Sequence, residues 1–422
     1  MRRLLIALAA AAVLVAAVLA VYVVHRLRQG ADERGSTTIE YVTTLAAPKP
    51  PPPDVPWPTY GFSVDRTRSV QLALSPPFRI VWRYQAGSLI EFPPAIGYGR
   101  LFFSTNRGTF AAISEKTGKY AWKYTSHRCV AASPAIGPHA HGTVYEAFLN
   151  RPPCNAQNGG HGVDGEVIAF SVGHGKIHWR HRIGPSESSP LLVGDRLYLG
   201  DWNGDVWAFD ANHGDVVWHR HVADGAIKGA LAYAGGRLFV GAYDGHVYCL
   251  SRTGSVVWRG SAQPRLFGSA HFYSTPAVAY GRVYIGATDG KVYAFGAASG
   301  RRLWSHSTGG YVYASPAVWH ELVFAGSYSG RFDALDAGTG EPRWSFDAHG
   351  PISGSATVVN DVVFFSTLSQ KGLKNGRTYA LSARTGRRLW SFPDGKYTPV
   401  VAAKGRVFLI GYGVVYGMVP KK

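Results

Sequence analysis

Three histidines and three cysteines are the residues of this chain best suited to metal or covalent chemistry. His139 and His141 alternate along one short segment, and His161 lies in the insertion that follows it. Imidazoles at such spacing can hold zinc or copper. No carboxylate or cysteine completes a recognisable ligand set there. These three histidines are therefore weak metal candidates, and we expect no metal.

Sequence motifs of catalysis are missing. The chain has no Gly-x-Ser-x-Gly elbow, no P-loop lysine and no Cys-x-x-Cys-His haem attachment. The carboxylates of Asp244-Gly245 and Asp289-Gly290 are explained as turn formers. No pair of carboxylates for acid–base chemistry stands out. We therefore predict no catalytic residue and a protein that is not an enzyme.

The sequence repeats a unit of about forty residues, and this unit must position any reactive or binding side chains. Each unit has a turn glycine, then a small residue four positions later, then a tryptophan. The turn glycines are Gly108, Gly165, Gly204, Gly245, Gly290, Gly330, Gly376 and Gly413. Between the turns, β-branched and aromatic residues alternate in four short runs, here called strands A to D. Four strands per unit predict the antiparallel blades of an all-β propeller.

The number of blades follows from the tryptophans that end strand D. They are Trp82, Trp122, Trp179, Trp218, Trp258, Trp304, Trp344 and Trp390. Trp82 lies before the first complete unit, and the last unit lacks a strand D. Pairing the N-terminal strand with the C-terminal strands closes the ring and removes two open edges. We predict eight blades, with seven as the alternative.

The segments Ala208–Trp218 and Ala334–Trp344 resemble the repeat of the PQQ-like (quinoprotein-type) β-propeller family. The resemblance covers roughly residues 57–420 and implies that the repeat tryptophans dock against neighbouring blades. The family contains quinoprotein dehydrogenases and non-catalytic BamB-like members. The dehydrogenases hold PQQ with calcium in the central funnel, using carboxylates, a stacked tryptophan and often adjacent cysteines. Here no cysteines are adjacent, and the non-docking tryptophans Trp202 and Trp319 come without partner residues, so PQQ with calcium is the runner-up.

Three connections are longer than their counterparts in other blades. Two are B–C loops, in the second and seventh units, and one is the D–A crossover after Trp258. B–C and D–A loops share one face of a propeller, so we expect this face to bind the partner. The candidate binding residues on it are Asn150, Arg151, Asn155, Gln157, Arg265, Phe267, Phe272, Lys371 and Lys374.

Cys129 and Cys154 fall on that same face by the repeat register. A disulfide between them would close a loop of 25 residues and stabilise the fold by about 3 kcal/mol. Disulfides persist outside the reducing cytoplasm, so this pairing favours an exported body. Cys249 occupies the repeat position that alanine fills in six other blades, so we interpret it as a small buried core residue.

The N-terminal region divides into an apolar segment and a linker. Residues 1–28 contain an uncharged run, Leu4–Val24, whose length as a helix is about 31 Å and matches a bilayer core. A retained anchor and a cleaved signal remain alternatives. Residues 29–58 form a Pro-rich spacer, and residues 59–422 form the propeller. We predict a single-pass membrane protein with the propeller on the extracytoplasmic side.

The formal net charge is +18, and residues 51–422 carry +15 of it. The basic residues are dispersed, which makes a nucleic-acid site unlikely in our interpretation and leaves protein or cell-envelope polymers as partners. The favoured function is a non-catalytic binding scaffold. The alternatives are a PQQ-dependent dehydrogenase and recognition of a cell-envelope glycan or small ligand, for which the aromatics Phe267, Phe272 and Tyr273 are candidates.

Overall fold

The computed structural model describes residues 2–43, 51–137, 142–152, 164–264, 269–373, 375–397 and 400–421, with helix side chains described only for residues 8–24. Helix α1 spans Arg2–Gln29 and covers the predicted anchor. In these ranges, no helix is long and apolar enough to cross a membrane.

Eight antiparallel sheets of at least four strands follow one another around a ring. The first four blades contain β3 (Ala95–Gly97), β4 (Arg100–Ser104), β5 (Thr109–Ser114), β6 (Tyr120–Thr125); β7 (Ala135–Gly137), β8 (Thr143–Phe148), β9 (Gly165–Ser171), β10 (Ile177–Ile183); β11 (Leu191–Val193), β12 (Arg196–Gly200), β13 (Asp205–Asp210), β14 (Val216–His221); and β15 (Ala232–Ala234), β16 (Arg237–Gly241), β17 (His246–Ser251), β18 (Val256–Ser261). The last four contain β19 (Ala277–Ala279), β20 (Arg282–Gly286), β21 (Lys291–Gly296), β22 (Arg302–Ser307); β23 (Ala317–Trp319), β24 (Leu322–Gly326), β25 (Arg331–Asp336), β26 (Pro342–Asp347); β1 (Ser69–Val70), β27 (Thr357–Val359), β28 (Val362–Ser366), β29 (Thr378–Ser382), β30 (Arg388–Phe392); and β2 (Phe78–Gln85), β31 (Val400–Ala403), β32 (Arg406–Ile410), β33 (Val414–Pro420).

The small residue of the repeat lies directly opposite the tryptophan of its own blade, across strands C and D. The pairs are Ala112–Trp122, Ala169–Trp179, Ala208–Trp218, Cys249–Trp258, Ala294–Trp304, Ala334–Trp344, Ala380–Trp390 and Gly417–Trp82. An indole needs a small cross-strand neighbour to lie flat on the sheet. The spacing seen in the sequence is therefore a packing requirement.

Each docking tryptophan except the last covers a glycine in the C–D turn of the next blade. A Cβ on that glycine would come within 2.5–2.8 Å of the indole, and the glycine has a φ between 67° and 85°. The pairs are Trp82–Gly118, Trp122–Gly175, Trp179–Gly214, Trp218–Gly254, Trp258–Gly300, Trp304–Gly340 and Trp344–Gly386. Six of these indoles also donate a hydrogen bond to a carbonyl of that turn. The predicted docking between blades is confirmed.

The ring closes as predicted. Strand β2 pairs antiparallel with β33 and supplies strand D of the last blade. The eight-bladed prediction is confirmed and the seven-bladed alternative is wrong.

Residues 57–70, which we call the plug, cross the central channel, a feature that no pattern in the sequence indicated. The middle amide of strand A in six blades donates to a plug carbonyl, at 2.7–2.9 Å. The donors are Ile96, Ile136, Tyr233, Val278, Val318 and Val358. At the end of the plug, β1 adds a parallel strand to the inner edge of the seventh blade.

The region predicted as a free spacer contacts the body. Glu33 forms a β-bridge with Ser305 on the outer strand β22 and pairs with Arg302. Arg282, which is fully buried, donates to the carbonyls of Ser36 and Ile39 at 2.6 and 2.9 Å. Polar groups of the fifth blade therefore hold this segment, which a proline-rich composition does not reveal.

Candidate functional site

A ring of equivalent residues surrounds the channel at the end that carries the B–C and D–A loops, here called the upper face. In six blades, the residue four positions before strand A lines a cavity there. These residues are Glu91, Glu187, Lys228, Tyr273, Tyr313 and Ser353. Strand A begins next to the axis, so its preceding loop projects a side chain into the channel mouth.

The plug closes this cavity from below. Trp57, Tyr60, Gly61 and Arg68 form the floor, and the enclosed volume is about 60 Å³. We call this cavity the cup. It has room for a few water molecules or one small functional group, whereas drug-sized ligands occupy about 300 Å³ or more.

Tyrosines from several blades form an arc beside the cup. Ring centroids lie 4.9 Å apart for Tyr273 and Tyr313, and 5.1 Å apart for Tyr313 and Tyr328. Tyr243 and Tyr311 extend the arc at 6.3 Å from Tyr273 and Tyr328 respectively. Tyr311 is 54% exposed, so the arc offers aromatic surface to a partner. Such rings supply large contact area together with a hydroxyl.

The two acidic residues of the ring have raised pKa values. Burial, together with the charge of the nearby Glu187, raises the pKa of Glu91 to about 7. Burial also raises the pKa of Glu187, which the ammonium of Lys228 at 3.8 Å and the hydroxyl of Tyr273 at 3.0 Å partly offset.

Trp202 belongs to this upper face. The Lys228 ammonium lies 4.3 Å from the centroid of the Trp202 ring and 5.1 Å from that of Tyr243. The sequence indicated that Trp202 does not dock blades but showed no partner for it. Its partner comes from the next D–A loop, through a cation–π contact.

The loop residues that we predicted to bind a partner differ in their exposure to solvent. Asn150 is buried, and its carbonyl accepts from the amide of Cys129 at 3.0 Å. Arg151 is exposed, with its amide donating to Asp164 at 3.0 Å. Lys371 is exposed.

Phe272 is fully buried and packs edge-on against Tyr293 and Phe295, so it anchors its loop and does not face solvent. Tyr273, the other described residue of the three aromatics named for sugar stacking, borders the cup and is partly exposed. The loop residues Asn155, Gln157, Arg265, Phe267 and Lys374 lie outside the described residues.

The structure describes only some of the cysteines and histidines that the sequence analysis singled out. Cys249 is a free, buried thiol, and Cys129 is buried and is not free. Cys154 lies outside the described residues, so its pairing with Cys129 stays a prediction. His139, His141 and His161 also lie outside them. Among the residues that are described, no three His, Cys, Asp or Glu side chains are placed to hold a metal ion.

A second cavity lies on the opposite side of the plug, with a volume of about 760 Å³. Its lining includes Pro51–Pro53, Trp319 and Lys404, and a single carboxylate, Asp65. The Asp65 carboxylate accepts from the amide and hydroxyl of Thr67. One carboxylate so engaged does not make the oxygen-rich ligand set that calcium requires.

A protein-family model described as "Outer membrane protein assembly factor BamB" matches residues 203–312 and 288–417, which together make up more than half of the chain. No curated protein matches the sequence. Among solved structures, BamB from Moraxella catarrhalis is 18% identical with a TM-score of 0.62, covering 82% of this chain and 98% of its own.

Two other solved structures have the same fold. Quinohemoprotein alcohol dehydrogenase from Comamonas testosteroni is 16% identical with a TM-score of 0.69, covering 88% of this chain and 81% of its own. The computationally designed Ika8 protein is 16% identical with a TM-score of 0.63, covering 81% and 98%. Similarity at this level shows the fold, which hosts both catalytic and other proteins.

Proposed function

Because this chain belongs to the PQQ-like β-propeller family, whose matching model bears the description of BamB, we propose that it is a non-catalytic scaffold that binds proteins on its upper face. The proposal favours the non-catalytic members over the dehydrogenases of the same fold.

The tyrosine arc is the observation that carries this proposal. Tyrosine and tryptophan are enriched at the centres of protein interfaces, where they combine apolar contact with hydrogen bonding. Burial raises the pKa of Tyr243, Tyr273 and Tyr313, so their hydroxyls stay neutral donors at physiological pH. In the part of the upper face that the structure describes, the small cup below the arc leaves mainly an interaction surface.

We place the propeller in the cell envelope, outside the cytoplasm, attached through the N-terminal helix. Support comes from the BamB description of the family model and from the apolar run Leu4–Val24.

A photo-crosslinking residue at position 311 tests the binding face. Tyr120 on outer strand β6 is the matched control, because it is also a tyrosine with 54% exposure. In envelope preparations, we expect discrete protein adducts from position 311 that disappear when Tyr313 and Tyr328 are replaced by alanine, and none from position 120. Equal labelling at both positions, or adducts insensitive to the arc, would contradict the proposal.

Quinone-dependent oxidation is the second candidate function, and the cavity of about 760 Å³ is the observation that favours it. Trp319 borders this cavity, although the carboxylates for calcium are missing from its described lining. Purified full-length chain mixed with PQQ and calcium should show no bound quinone absorbance. A bound spectrum that is lost in Trp319→Ala would favour the enzyme and count against the scaffold.

Glycan recognition is the third candidate, since aromatic rings such as Tyr273 stack on sugars. Binding on a glycan array that is lost in Tyr311→Ala but kept in Tyr120→Ala would favour it over protein recognition.

A further inference from the structure

We propose that the cup binds a single carboxylate group through the two free donors of Arg68, and that a protein partner is anchored on the upper face in this way. The identification of a protein partner as the source of the carboxylate rests on the proposed function. The carboxylate site itself is argued independently, from the residues of the plug that line the cup.

Arg68 is 1% exposed and borders the cup. Its Nη1 donates to the carbonyl of Arg66 at 2.8 Å. Its Nε and Nη2 have no hydrogen-bond partner within the described part of the chain, and no carboxylate there forms an ion pair with it. Nε and Nη2 lie on the same edge of a guanidinium, spaced to donate in parallel to the two oxygens of one carboxylate.

Glu91 and Glu187 border the same cup as Arg68, but no ion pair joins either carboxyl group to its guanidinium in the described part of the chain. The Arg68 guanidinium lies 4.2 Å from the centroid of the Tyr60 ring. Burial, together with the charge of Arg68, lowers the pKa of the neighbouring Arg66 to about 9. Burial raises the pKa of Tyr60, but Arg68 and the hydroxyls of Ser315 and Ser355 outweigh it and lower this pKa overall. A buried cation without a partner is costly, and a bound anion would remove much of that cost.

The size and charge of the cup select the class of anion. A volume of about 60 Å³ has room for one carboxylate group. Glu91 and Glu187 border the same cup and disfavour a dianion such as phosphate. Hydroxyls of Thr275, Ser315 and Ser355 border it too and can complete the hydrogen bonds of a carboxylate.

The pH dependence should follow from the groups that face the cup. The pKa of Glu91 is about 7, so this carboxyl group changes its charge between pH 6 and 8. Lys228 is close to Glu187, and Tyr273 and Tyr313 remain neutral over the same pH range. Above pH 7, ionised Glu91 repels a second carboxylate. We therefore expect the affinity for a carboxylate to fall as the pH rises from 6 to 8.

The first test uses acetate as the probe and acetamide as its neutral analogue, with the purified full-length chain. Intrinsic fluorescence reports binding, because Trp57 is part of the floor. We expect saturable binding of acetate, about tenfold weaker binding of acetamide, and loss of acetate binding in Arg68→Met. Arg79→Met, on the exposed side of β2, is the matched control and should bind acetate normally.

A second variant keeps the proposal testable if Arg68→Met fails to fold. Ser353→Phe fills the cup from its rim without touching the plug, and Ser329→Phe places the same ring on an exposed loop. Acetate binding should disappear in the first and persist in the second. Equal affinities for acetate and acetamide, or persistence of acetate binding in Ser353→Phe, would overturn the proposal.

The source of the carboxylate is resolved with three short peptides of one sequence. One has a free C-terminus, one is amidated, and one is amidated but carries an internal aspartate. Preference for the first identifies a chain terminus, and preference for the third identifies an acidic side chain. Acetate binding with equal binding of all three peptides would leave the cup intact as a carboxylate site but remove its role in partner anchoring.

Discussion

Trp82 and Gly417 lie directly opposite each other where the two ends of the chain join the same sheet. A Cβ at position 417 would fall 2.1 Å from the indole of Trp82, closer than any real contact. The seven other blades have alanine or cysteine at this position. In the closing blade, the tryptophan therefore packs more closely against the backbone of the opposite strand than in the other blades.

Gly417→Ala should weaken closure of the ring by about 2 kcal/mol, because the indole must move off the sheet. The free energy of unfolding by denaturant checks this. Gly173→Ala is the control, since a Cβ there meets nothing within 4 Å. Equal midpoints for both variants would show that the contact at position 417 is not limiting.

Arg66→Met should destabilise the fold by about 3 kcal/mol or more, because it leaves buried acceptors of the plug unpaired. The Arg66 guanidinium donates to Leu231 at 2.9 Å, to Thr59 at 2.7 Å and to Pro190 at 3.3 Å. Equilibrium unfolding compared with Arg107→Met, an exposed arginine, measures the effect. A loss no larger than that of the control would argue against a structural role for the plug.

Glu146→Gln should flatten the pH dependence of stability. Burial raises the pKa of Glu146 to about 8, although Ser104 donates to it at 2.8 Å. The folded state thus keeps a proton that the unfolded state releases above its pKa of 4.5. Stability from this group falls by about 1.4 kcal/mol per pH unit as the pH rises from 5 to 8.

Unfolding curves at pH 5, 6, 7 and 8 should show a shallower slope for Glu146→Gln than for the natural chain. Glu341→Gln, at an exposed site, should keep the natural slope. Parallel curves for all three proteins would mean that Glu146 titrates normally in the fold.

Non-reduced peptide mapping should recover Cys129 and Cys154 in one crosslinked peptide from protein exported to an oxidising compartment. Cys249 should react with alkylating reagents only after unfolding, since burial raises its pKa to about 11 and keeps it a thiol. Alkylation of Cys129 in denaturant without reductant would show that the crosslink is absent.

The blade pattern was predictable because it is local. A glycine, a small residue and a tryptophan at fixed spacing describe one sheet, and the repetition supplied the count. The cup was not predicted, because its lining combines the plug with loops of several blades that lie far apart in the sequence. A signal did exist: the position four residues before strand A reads Glu91, Glu187, Lys228, Tyr273, Tyr313 and Ser353 in six blades.

The plug could not be inferred, since backbone groups make most of its contacts. Carbonyls of residues such as Pro58 and Val64 accept hydrogen bonds without a requirement for side-chain type. Arg66 and Arg68 also look like solvated arginines in the sequence, although both are buried. Only their position on the axis explains why they are enclosed.

The plug has a consequence for biosynthesis. Residues 57–70 leave the ribosome before any blade, yet their hydrogen-bond partners extend to Asn360, about three hundred residues later. Contacts of such long sequence separation form slowly. The early segment therefore makes its last hydrogen bonds only after nearly the whole polypeptide has been synthesised, so the central channel is filled late in folding.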